Sequence, residues 1–340
     1  MKILYAFQGT GNGHASRATE IIPYLQQKGE VDILISGYQC ELKLPFKVKY
    51  KYYGLSFIFG KKGGINFWET IKKVKIKKLI NEIKSVPIED YDLVINDFEP
   101  ITAWAAKFKN TQIISLSHQN AVLDPNAPKY GTYRVERLIL KYYAPIRTKF
   151  GFHFNTYSSA IFTPIIRKKI RYSNNTNKGH YTVYLPAYSD KKIIKVLSQI
   201  TNVKWEVFSK NTSEHIFKNN VIIKPINGHN FIKSISSCKG VICGAGFETP
   251  AEALFLQKKL LVVPMKNQYE QQCNALSLKQ MGIPVLKKFN KNQVSKISSW
   301  VNTKQSVKVN YPDITEDILD AIILPYYDNQ QIDLAEITIG

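Results

Sequence analysis

The sequence predicts an α/β protein built from two consecutive Rossmann-like, doubly wound domains that face a central cleft. Short apolar segments with strand character alternate with longer helical segments, which is typical of parallel sheets covered by helices. The alternation stops at the polar stretch Arg171–Gly179 and then starts again. The length of 340 residues suits two cores better than one. We therefore expect a first domain at residues 1–170 and a second at 171–315, with the segment at about 316–340 packing back on the first.

The first series of elements follows a strand–helix–strand order. Each strand is an apolar run, and the segments between them are long enough for a helix. Crossovers through helices make such strands parallel. The predicted strands are Lys2–Gln8, Val31–Ser36, Asp92–Asn96 and Thr111–Ser117, and the predicted helices are Ala15–Lys28 and Ala103–Lys109.

The second series repeats this order after residue 180. In its second helix Thr249 is the expected N-cap, and Pro250 suits the first turn. The predicted strands are Tyr181–Leu185, Lys204–Ser209, Gly240–Cys243 and Lys259–Pro264, and the predicted helices are Asp190–Ile200 and one that continues through Ala251–Phe255.

The composition is that of an ordinary globular protein. Hydrophobic residues make up 44% and charged residues 21%, which excludes wholesale disorder. No run of about 18 apolar residues predicts a membrane span, and the first residues lack the apolar region of a signal peptide. The four cysteines form no CxxC pair, so we expect a reducing, cytoplasmic location.

The net charge of +21 is the unusual feature of the composition. It admits binding to nucleic acid or to an anionic membrane, whereas a lysine-rich surface without a special role accounts for it equally well. Twelve lysines and two acids lie between Lys43 and Lys84, and seven acids without lysine or arginine lie from Tyr311 to Gly340. Helix-turn-helix, RRM and zinc-finger signatures do not occur in the sequence, so no specific nucleic-acid partner is expected.

A glycine-rich turn follows the first predicted strand. It reads GTGNGH from Gly9 to His14, and Arg17 follows three residues later. Alternate glycines let the backbone bend tightly and let a ligand approach closely. Neither a dinucleotide fingerprint nor a P-loop fits, because His14 stands where GxGxxG needs glycine and GK[ST] is absent. Open α/β sheets bind ligands at the carboxyl ends of their strands, so we favour a functional His14 over a structural one.

Further polar residues leave the same predicted edge. Asp97 and Glu99 follow one predicted strand directly, and His118 and Gln119 follow the next. A histidine beside a carboxylate suits general-base catalysis, because the imidazole takes a hydroxyl proton and the carboxylate orients the ring. Asp97 and Glu99 both remain candidates for the partner of His14, and any one of these residues can instead cap a helix.

Two motifs in the second series indicate a diphosphate site. GAGFETPAEAL, from Gly244 to Leu254, is a glycine turn before a helix, and the N–H groups at such a helix start bind phosphate. VVPMKNQYEQQCNA, from Val262 to Ala275, brings amides and acids to the next strand's carboxyl end. The second domain is therefore predicted to bind the nucleotide part of a substrate.

Together with GxGxGHxxR near the start, these motifs resemble those of glycosyltransferases of the GT-B fold. The likeness is to the peptidoglycan lipid N-acetylglucosaminyltransferase and UDP-glucuronosyltransferase-like groups, and it extends across nearly the whole chain. It implies a nucleotide-sugar donor, by default a UDP-sugar, held mainly by the second domain, and a glycan or lipid-linked acceptor held mainly by the first. We expect no cofactor beyond this co-substrate and no metal, since no His/Cys cluster has zinc spacing.

The resemblance assigns roles to individual residues. His14 matches the histidine that acts as base in UDP-glucuronosyltransferase-like members, and strand order places Asp97 as its catalytic partner. Glu252 falls where the donor ribose is held. The predicted donor-binding residues are Ser209, Gly244, Gly246, Phe247, Glu248, Thr249, Glu252, Gln268, Gln271 and Gln272, and the predicted acceptor or cleft residues are Gly11, Gly13, Arg17, Glu99, His118 and Gln119.

One departure from the family pattern concerns the donor loop. Phe247 and Glu248 put a bulky aromatic ring and an acid where such loops are often small and neutral. An acid beside a diphosphate is unfavourable unless it points away or contacts the sugar. Glu248 is therefore expected to take one of those two orientations.

The predicted activity is that of a metal-independent, inverting glycosyltransferase, in which His14 deprotonates an acceptor hydroxyl. A nucleotide-sugar epimerase or hydrolase on the same fold is the alternative within enzymes. A basic nucleic-acid-binding protein is the alternative outside them.

The basic aromatic stretch Lys47–Lys78 is a candidate membrane-binding surface beside the acceptor half. Its lysines attract anionic headgroups at about 1 kcal/mol each, and aromatic rings suit the interfacial layer. Against this, a helical wheel of Ile65–Lys84 scatters the lysines around the helix, and the same aromatics can pack the core. A peripheral location on the inner face of the membrane is thus an expectation beside a purely cytoplasmic one. The aromatic residues concerned are Tyr52, Tyr53, Phe57, Phe59 and Trp68.

Overall fold

The chain folds into two largely parallel sheets in succession, each covered by helices. The predicted α/β class with two doubly wound domains is confirmed. The computed structural model describes residues 1–37, 44–55, 75–131, 134–304 and 306–327.

The first sheet has seven strands, paired in parallel throughout. They are β1 (Lys2–Gln8), β2 (Glu30–Ser36), β3 (Tyr50–Tyr52), β4 (Leu93–Asp97), β5 (Ile114–Leu116), β6 (Thr148–Phe152) and β7 (Ile161–Phe162). Their order is β3-β2-β1-β4-β5-β6-β7, so the direction of strand addition reverses between β1 and β4. Such a reversal opens a crevice at the carboxyl ends of the two strands.

Helices cover both faces of the first sheet. Alternate side chains of β1 point to opposite faces, with Tyr5 and Phe7 in the core on one side of the sheet and Leu4 and Ala6 in the core on the other. These helices are α1 (Asn12–Lys28), α2 (Ile76–Ser85), α3 (Pro100–Lys109), α4 (His118–Leu123), α5 (Arg134–Tyr143) and α6 (Lys168–Arg171).

The second sheet has six strands in the order β10-β11-β9-β8-β12-β13. They are β8 (Tyr181–Tyr184), β9 (Trp205–Ser209), β10 (Ile216–Lys218), β11 (Val221–Pro225), β12 (Gly240–Cys243) and β13 (Lys259–Val262). The edge strand β10 pairs antiparallel with β11, and the other pairs are parallel. Strand addition reverses here between β8 and β12, which creates a second crevice.

The helices of the second sheet are followed by one that returns to the first. Lys28 Nζ in α1 lies 2.7 Å from Asp320 Oδ1 in this returning helix. Short 3-10 turns occur at Ile88–Asp90 and Lys291–Gln293. The helices are α7 (Asp190–Leu197), α8 (Gly228–Ser237), α9 (Glu248–Phe255), α10 (Tyr269–Gln280), α11 (Val294–Asn302) and α12 (Thr315–Tyr327).

One hydrophobic core continues from the first sheet into the second. It includes Phe7 and Phe152 from the first and Val241 and Phe247 from the second, all buried. The predicted boundary between residues 170 and 171 falls inside α6, which connects the two sheets. The two halves therefore share apolar packing as well as a covalent connection.

Several element limits differ from the predicted ones, and three of the differences have a local cause. α1 begins at Asn12 rather than Ala15, because the glycine turn is already complete at Gly11. β5 is shorter than predicted because the left-handed Asn110 ends α3, and the next residues return the chain to the sheet. Thr249 does not cap α9, because it lies inside a helix that begins at Glu248.

Most of the basic aromatic stretch Lys47–Lys78 lies outside the described residues, and so do Phe57, Phe59 and Trp68. Tyr52 ends β3 and is half-buried, as is Tyr53. Of the predicted helix Ile65–Lys84, the part from residue 75 onward is described. Within the described ranges, no helix is long and apolar enough to cross a membrane.

Candidate active site

The first crevice brings together the ends of β1 and β4. Gly11 precedes α1 with a φ of 109°, a conformation that favours glycine, so the turn needs a residue without a side chain there. His14 stands in the first turn of α1, and Asp97 is the last residue of β4. Two residues that are 83 positions apart in the sequence thus share one edge of the sheet.

His14 and Asp97 form a hydrogen-bonded pair, with His14 Nδ1 2.9 Å from Asp97 Oδ1. The His14 side chain is 12% exposed, whereas Asp97 is completely buried. Burial alone would raise the pKa of Asp97, but Arg17 and His14 hold it below its ordinary value. Because the ionised carboxylate can only accept, Nδ1 carries the hydrogen and donates it to Asp97. The Nε2 atom is then the ring atom that can accept a proton.

Arg17 is buried behind this pair and contacts two acids. Its Nε donates to Asp97 Oδ2 at 2.9 Å and its Nη2 to Asp97 Oδ1 at 2.9 Å. Its Nη1 donates to Glu248 Oε1 at 2.6 Å, across the cleft. Arg17 was predicted only as a cleft residue, and its geometry makes it one of the side chains that connect the two halves.

Glu99 lies away from the cleft, contrary to the prediction. It is completely buried at the N-cap of α3, where its carboxylate accepts from the N–H groups of Ile101 and Thr102 at 2.7 Å each. The chain places it there because Pro100 opens α3 and the residue before it is the one that can cap. Asp97, and not Glu99, contacts His14.

His118 and Gln119 lie in the interface between the halves instead of in an open cleft. The His118 ring is buried, its Nδ1 lies 2.8 Å from the Phe152 carbonyl oxygen, and its Nε2 lies 2.9 Å from Asn274 Oδ1. Burial lowers the pKa of His118. Gln119 Nε2 donates to Glu270 Oε2 at 3.1 Å. Both residues therefore connect α4 with α10.

The second crevice contains a cavity of about 90 Å³ between the ends of β8 and β12. The α9 helix begins beside it, and no side chain of the described residues caps its first N–H groups. Uncapped N–H groups at a helix start are suited to phosphate oxygens. The lining residues are Tyr184, Leu185, Pro186, Ala187, Tyr188, Cys243, Gly244, Gly246, Thr249, Val263, Met265 and Gln271.

Phe247 and Glu248 both point from this loop toward the first domain. The Phe247 ring stacks on His118 with 4.0 Å between ring centroids and lies 5.3 Å from the ring of Phe154. The Glu248 carboxylate pairs with Arg17. Burial raises the pKa of Glu248 to about 7, although Arg17 opposes this rise. The two bulky residues of the loop thus serve the interdomain contact.

Glu252 forms a buried ion pair with Arg167. Arg167 Nε lies 2.5 Å from Oε1, and Arg167 Nη2 lies 2.8 Å from Oε2. Burial alone would lower the pKa of Arg167, but Glu252 raises it above its ordinary value. Both oxygens of the predicted ribose ligand therefore have a guanidinium partner in this state of the protein.

The remaining predicted donor residues lie at the edge of the second sheet. Gln271 Oε1 accepts from Met265 N at 3.0 Å, and Gln272 Nε2 donates to Met265 O at 2.8 Å, so both hold the loop after β13. Gln268 Oε1 is buried without a hydrogen-bond partner in the described part of the chain. Ser209 Oγ, at the end of β9, donates to Asp190 Oδ1 at 2.7 Å and does not line the cavity.

Three residues of the site carried no prediction. Glu270 and Asn274 lie within the motif VVPMKNQYEQQCNA, so the motif itself was a usable signal for them. Arg167 has no motif around it, and its partner Glu252 is 85 positions away. The described residues contain no group of three or more His, Cys, Asp or Glu side chains that could hold a metal ion.

Two Rossmann-like domains, with a histidine–carboxylate pair at one crevice and an uncapped helix start at the other, form the GT-B fold of glycosyltransferases. The chain belongs to glycosyl transferase family 1, whose family model matches residues 1–303. The protein is thus a glycosyltransferase and transfers a sugar. No curated protein sequence matches the chain significantly.

Solved structures share the fold at low sequence identity. Acinetobacter baumannii MurG is 14% identical with a TM-score of 0.55, covering 95% of this chain and 99% of its own. Arabidopsis thaliana UGT89C1, complexed with UDP-L-rhamnose, is 11% identical with a TM-score of 0.59, covering 96% and 97%. The glycosyltransferase SnogD from Streptomyces nogalater is 11% identical with a TM-score of 0.53, covering 95% and 99%.

Proposed function

We propose that the protein transfers a sugar from a UDP-sugar to an acceptor hydroxyl, with inversion of configuration and without a metal ion. The observation that carries the proposal is the His14–Asp97 pair, which lies across the cleft from the start of α9 and is joined to it through Arg17 and Glu248. The proposed base and the proposed phosphate site thus face each other across the cleft, at a distance that the side chains of Arg17 and Glu248 together span.

His14 is the proposed general base. Its Nδ1–H is held by Asp97, so Nε2 takes the proton of the acceptor hydroxyl while the oxygen attacks the anomeric carbon. The bond from that carbon to the diphosphate oxygen breaks, and its electron pair leaves with the nucleoside diphosphate. One displacement of this kind inverts the anomeric carbon. Asp97 stabilises the imidazolium that forms.

The leaving diphosphate is assigned to the start of α9. Its uncapped N–H groups and the turn Gly244–Gly246 provide donors for the charge that develops on the diphosphate. Glu252 is the proposed ribose ligand, since each of its oxygens accepts one hydrogen bond from Arg167 and retains a lone pair for a ribose hydroxyl. UDP is proposed as the nucleotide by family resemblance, in line with the bound UDP-L-rhamnose of UGT89C1.

The acceptor is assigned to the first domain and is proposed to be a glycan or a lipid-linked sugar. For a lipid-linked acceptor, the proposed partner is an anionic membrane surface. The protein would then be a cytoplasmic protein that binds the inner face of the membrane. The outer surface of the layer formed by α2, α3 and α5 supports it, because exposed apolar residues and lysines alternate there. The exposed apolar residues are Ile76, Ile80, Phe108, Val135, Leu138 and Tyr142.

Binding and product analysis test the proposal. Calorimetric titration should detect UDP binding in preference to GDP or dTDP, and binding should be lost in Glu252→Ala. Incubation with a UDP-sugar panel should release UDP only when an acceptor is present, with the same rate in EDTA. NMR of the product should show an inverted anomeric configuration. Sugar release without an acceptor would favour a hydrolase, and the absence of binding to any nucleoside diphosphate would contradict the donor site.

A further inference from the structure

One buried arginine joins the candidate base of the first domain to the donor loop of the second. Arg17 stands on the second turn of α1 and is 4% exposed. Two of its nitrogens bond to the two oxygens of Asp97, and a third bonds to Glu248. The guanidinium therefore divides its hydrogen bonds between carboxylates of two domains.

Arg17 fixes the orientation of Asp97. A guanidinium that pairs with both oxygens of a carboxylate holds its plane, because the two planar groups match in a fork-like geometry. The plane of Asp97 in turn decides how Oδ1 meets the Nδ1–H of His14, which lies 2.9 Å away. Arg17 thus acts on His14 through Asp97.

Arg17 also places a positive charge beside the base. Its Nη2 lies 3.2 Å from His14 Nδ1, and a like charge at this distance opposes protonation of the ring. Arg17 and Asp97 alone are neutral together, so a proton on His14 would leave the closed cleft with a net positive charge. With Glu248 ionised, the group is negative before the proton transfer and neutral after it.

The balancing acid comes from the other domain. Glu248 is the first residue of α9, and a Cβ atom added at Gly13 would lie 3.6 Å from Glu248 Cγ, so the starts of α1 and α9 meet at van der Waals distance. Two further titratable groups act on Glu248, the carboxylate of Glu252 and the guanidinium of Arg167, and their charges neutralise each other. His14 and Asp97 lie on the other side of Arg17 from Glu248. The Tyr5 hydroxyl, on β1 behind them, is buried and makes no hydrogen bond to any described residue. Glu248 is thus a counter-charge that the second domain supplies to this group.

We infer that Arg17 is a positioning residue for the His14–Asp97 pair and that the ionised Glu248 carboxylate, from the second domain, balances the charge of this group when His14 takes a proton. This coupling deepens the proposed function, on which it rests.

The first test measures the titration of His14 in the free protein and needs no turnover. The ring-proton NMR signal is identified by its loss in His14→Gln. In Glu248→Gln, which removes the counter-charge at nearly constant volume, the midpoint should move to lower pH, because the protonated ring loses a nearby negative charge. The control is Asp320→Asn, which breaks the ion pair of Asp320 with Lys28. Lys28 lies at the far end of α1, the helix that carries His14, so the midpoint of His14 should stay unchanged in this variant. An unmoved midpoint in Glu248→Gln overturns the inference.

The second test uses kinetics. Arg17→Lys keeps the positive charge but loses the two parallel hydrogen bonds to Asp97, so kcat should fall about tenfold or more with little change in KM. An unchanged kcat would contradict the positioning role. In Glu248→Gln the acid limb of the pH profile should move by the same amount as the NMR midpoint. A wild-type protein that transfers no sugar would contradict the proposed function, whereas the NMR result still decides the counter-charge.

Discussion

The imidazole of His14 has one nitrogen held by Asp97, and this pairing predicts a specific mutant phenotype. His14→Ala should lower kcat by about 10²–10⁴, the usual scale for a general base, because the acceptor hydroxyl loses its proton acceptor. UDP affinity should stay nearly unchanged, since the ring belongs to the other domain. Steady-state kinetics and calorimetry check both values, with the exposed His229→Ala as the control. Normal turnover in a folded His14→Ala protein would make His14 structural.

The raised pKa of Glu248 predicts a pH-dependent difference in stability between the wild type and Glu248→Gln. Burial raises its pKa to about 7, so its contribution to folding is complete below the ordinary carboxyl range and is lost as the pH rises through 7. Glu248→Gln cannot ionise and should therefore be more stable than the wild type at pH 8 by about 1–3 kcal/mol. Near pH 4 the difference should vanish. Urea unfolding at both pH values measures it, and an equal difference at both would contradict the raised pKa.

Single residues also mark the limit of sequence-based prediction. Asp97 and Glu99 leave the same strand, yet one contacts His14 and the other caps α3, because acids serve both purposes and their sequence positions alone do not separate them. The pairing of Arg167 with Glu252 depends on packing between distant segments and has no local signal. His14 was predictable because a glycine turn after a strand fixes where its helix begins.

At the scale of elements, the outer side of α5 predicts membrane binding. Val135 and Leu138 are 64% and 49% exposed, and Tyr142 follows one turn later on the same stripe. Near its end lies a groove of about 630 Å³ whose cationic lining residues form no ion pair with a carboxylate of the described residues. Apolar side chains with nearby cations suit an anionic interface. The cations are Lys107, Lys141, Arg147 and Lys149.

Co-sedimentation with vesicles tests this surface. The protein should pellet with phosphatidylglycerol vesicles at low salt and less so at high salt, and Leu138→Glu should reduce the pelleted fraction at least severalfold. Phe217→Glu, at an exposed position of the second sheet, is the matched control and should bind like the wild type. Equal, negligible binding to neutral and anionic vesicles would favour a soluble acceptor.

The strands β1 and β12 were predicted from the sequence, whereas β7 and β10 were not. β1 and β12 could be read from continuous apolar runs that are buried on both faces. β7 has two residues, and β10 is an exposed edge strand, so neither leaves a periodic signal. Tertiary pairing, and not local sequence, makes them strands.

For the whole molecule, the shared core predicts one unfolding transition. The buried cluster that contains Phe152 and Phe247 spans both sheets, so unfolding either half exposes apolar surface of the other. Scanning calorimetry should show a single peak whose calorimetric and van't Hoff enthalpies agree. Two resolved peaks would mean that the halves unfold independently.

The aromatic ring of Phe247 has a consequence for the speed of the reaction cycle. If the nucleoside diphosphate of the proposed reaction leaves by an opening of the cleft, that opening withdraws this ring from its stack on His118. Exposing a buried phenylalanine costs about 1.5–3 kcal/mol, which lowers the fraction of open molecules roughly ten- to a hundredfold. We therefore expect product release, rather than chemistry, to limit the steady-state rate, with a rapid burst of one product per enzyme before slow turnover.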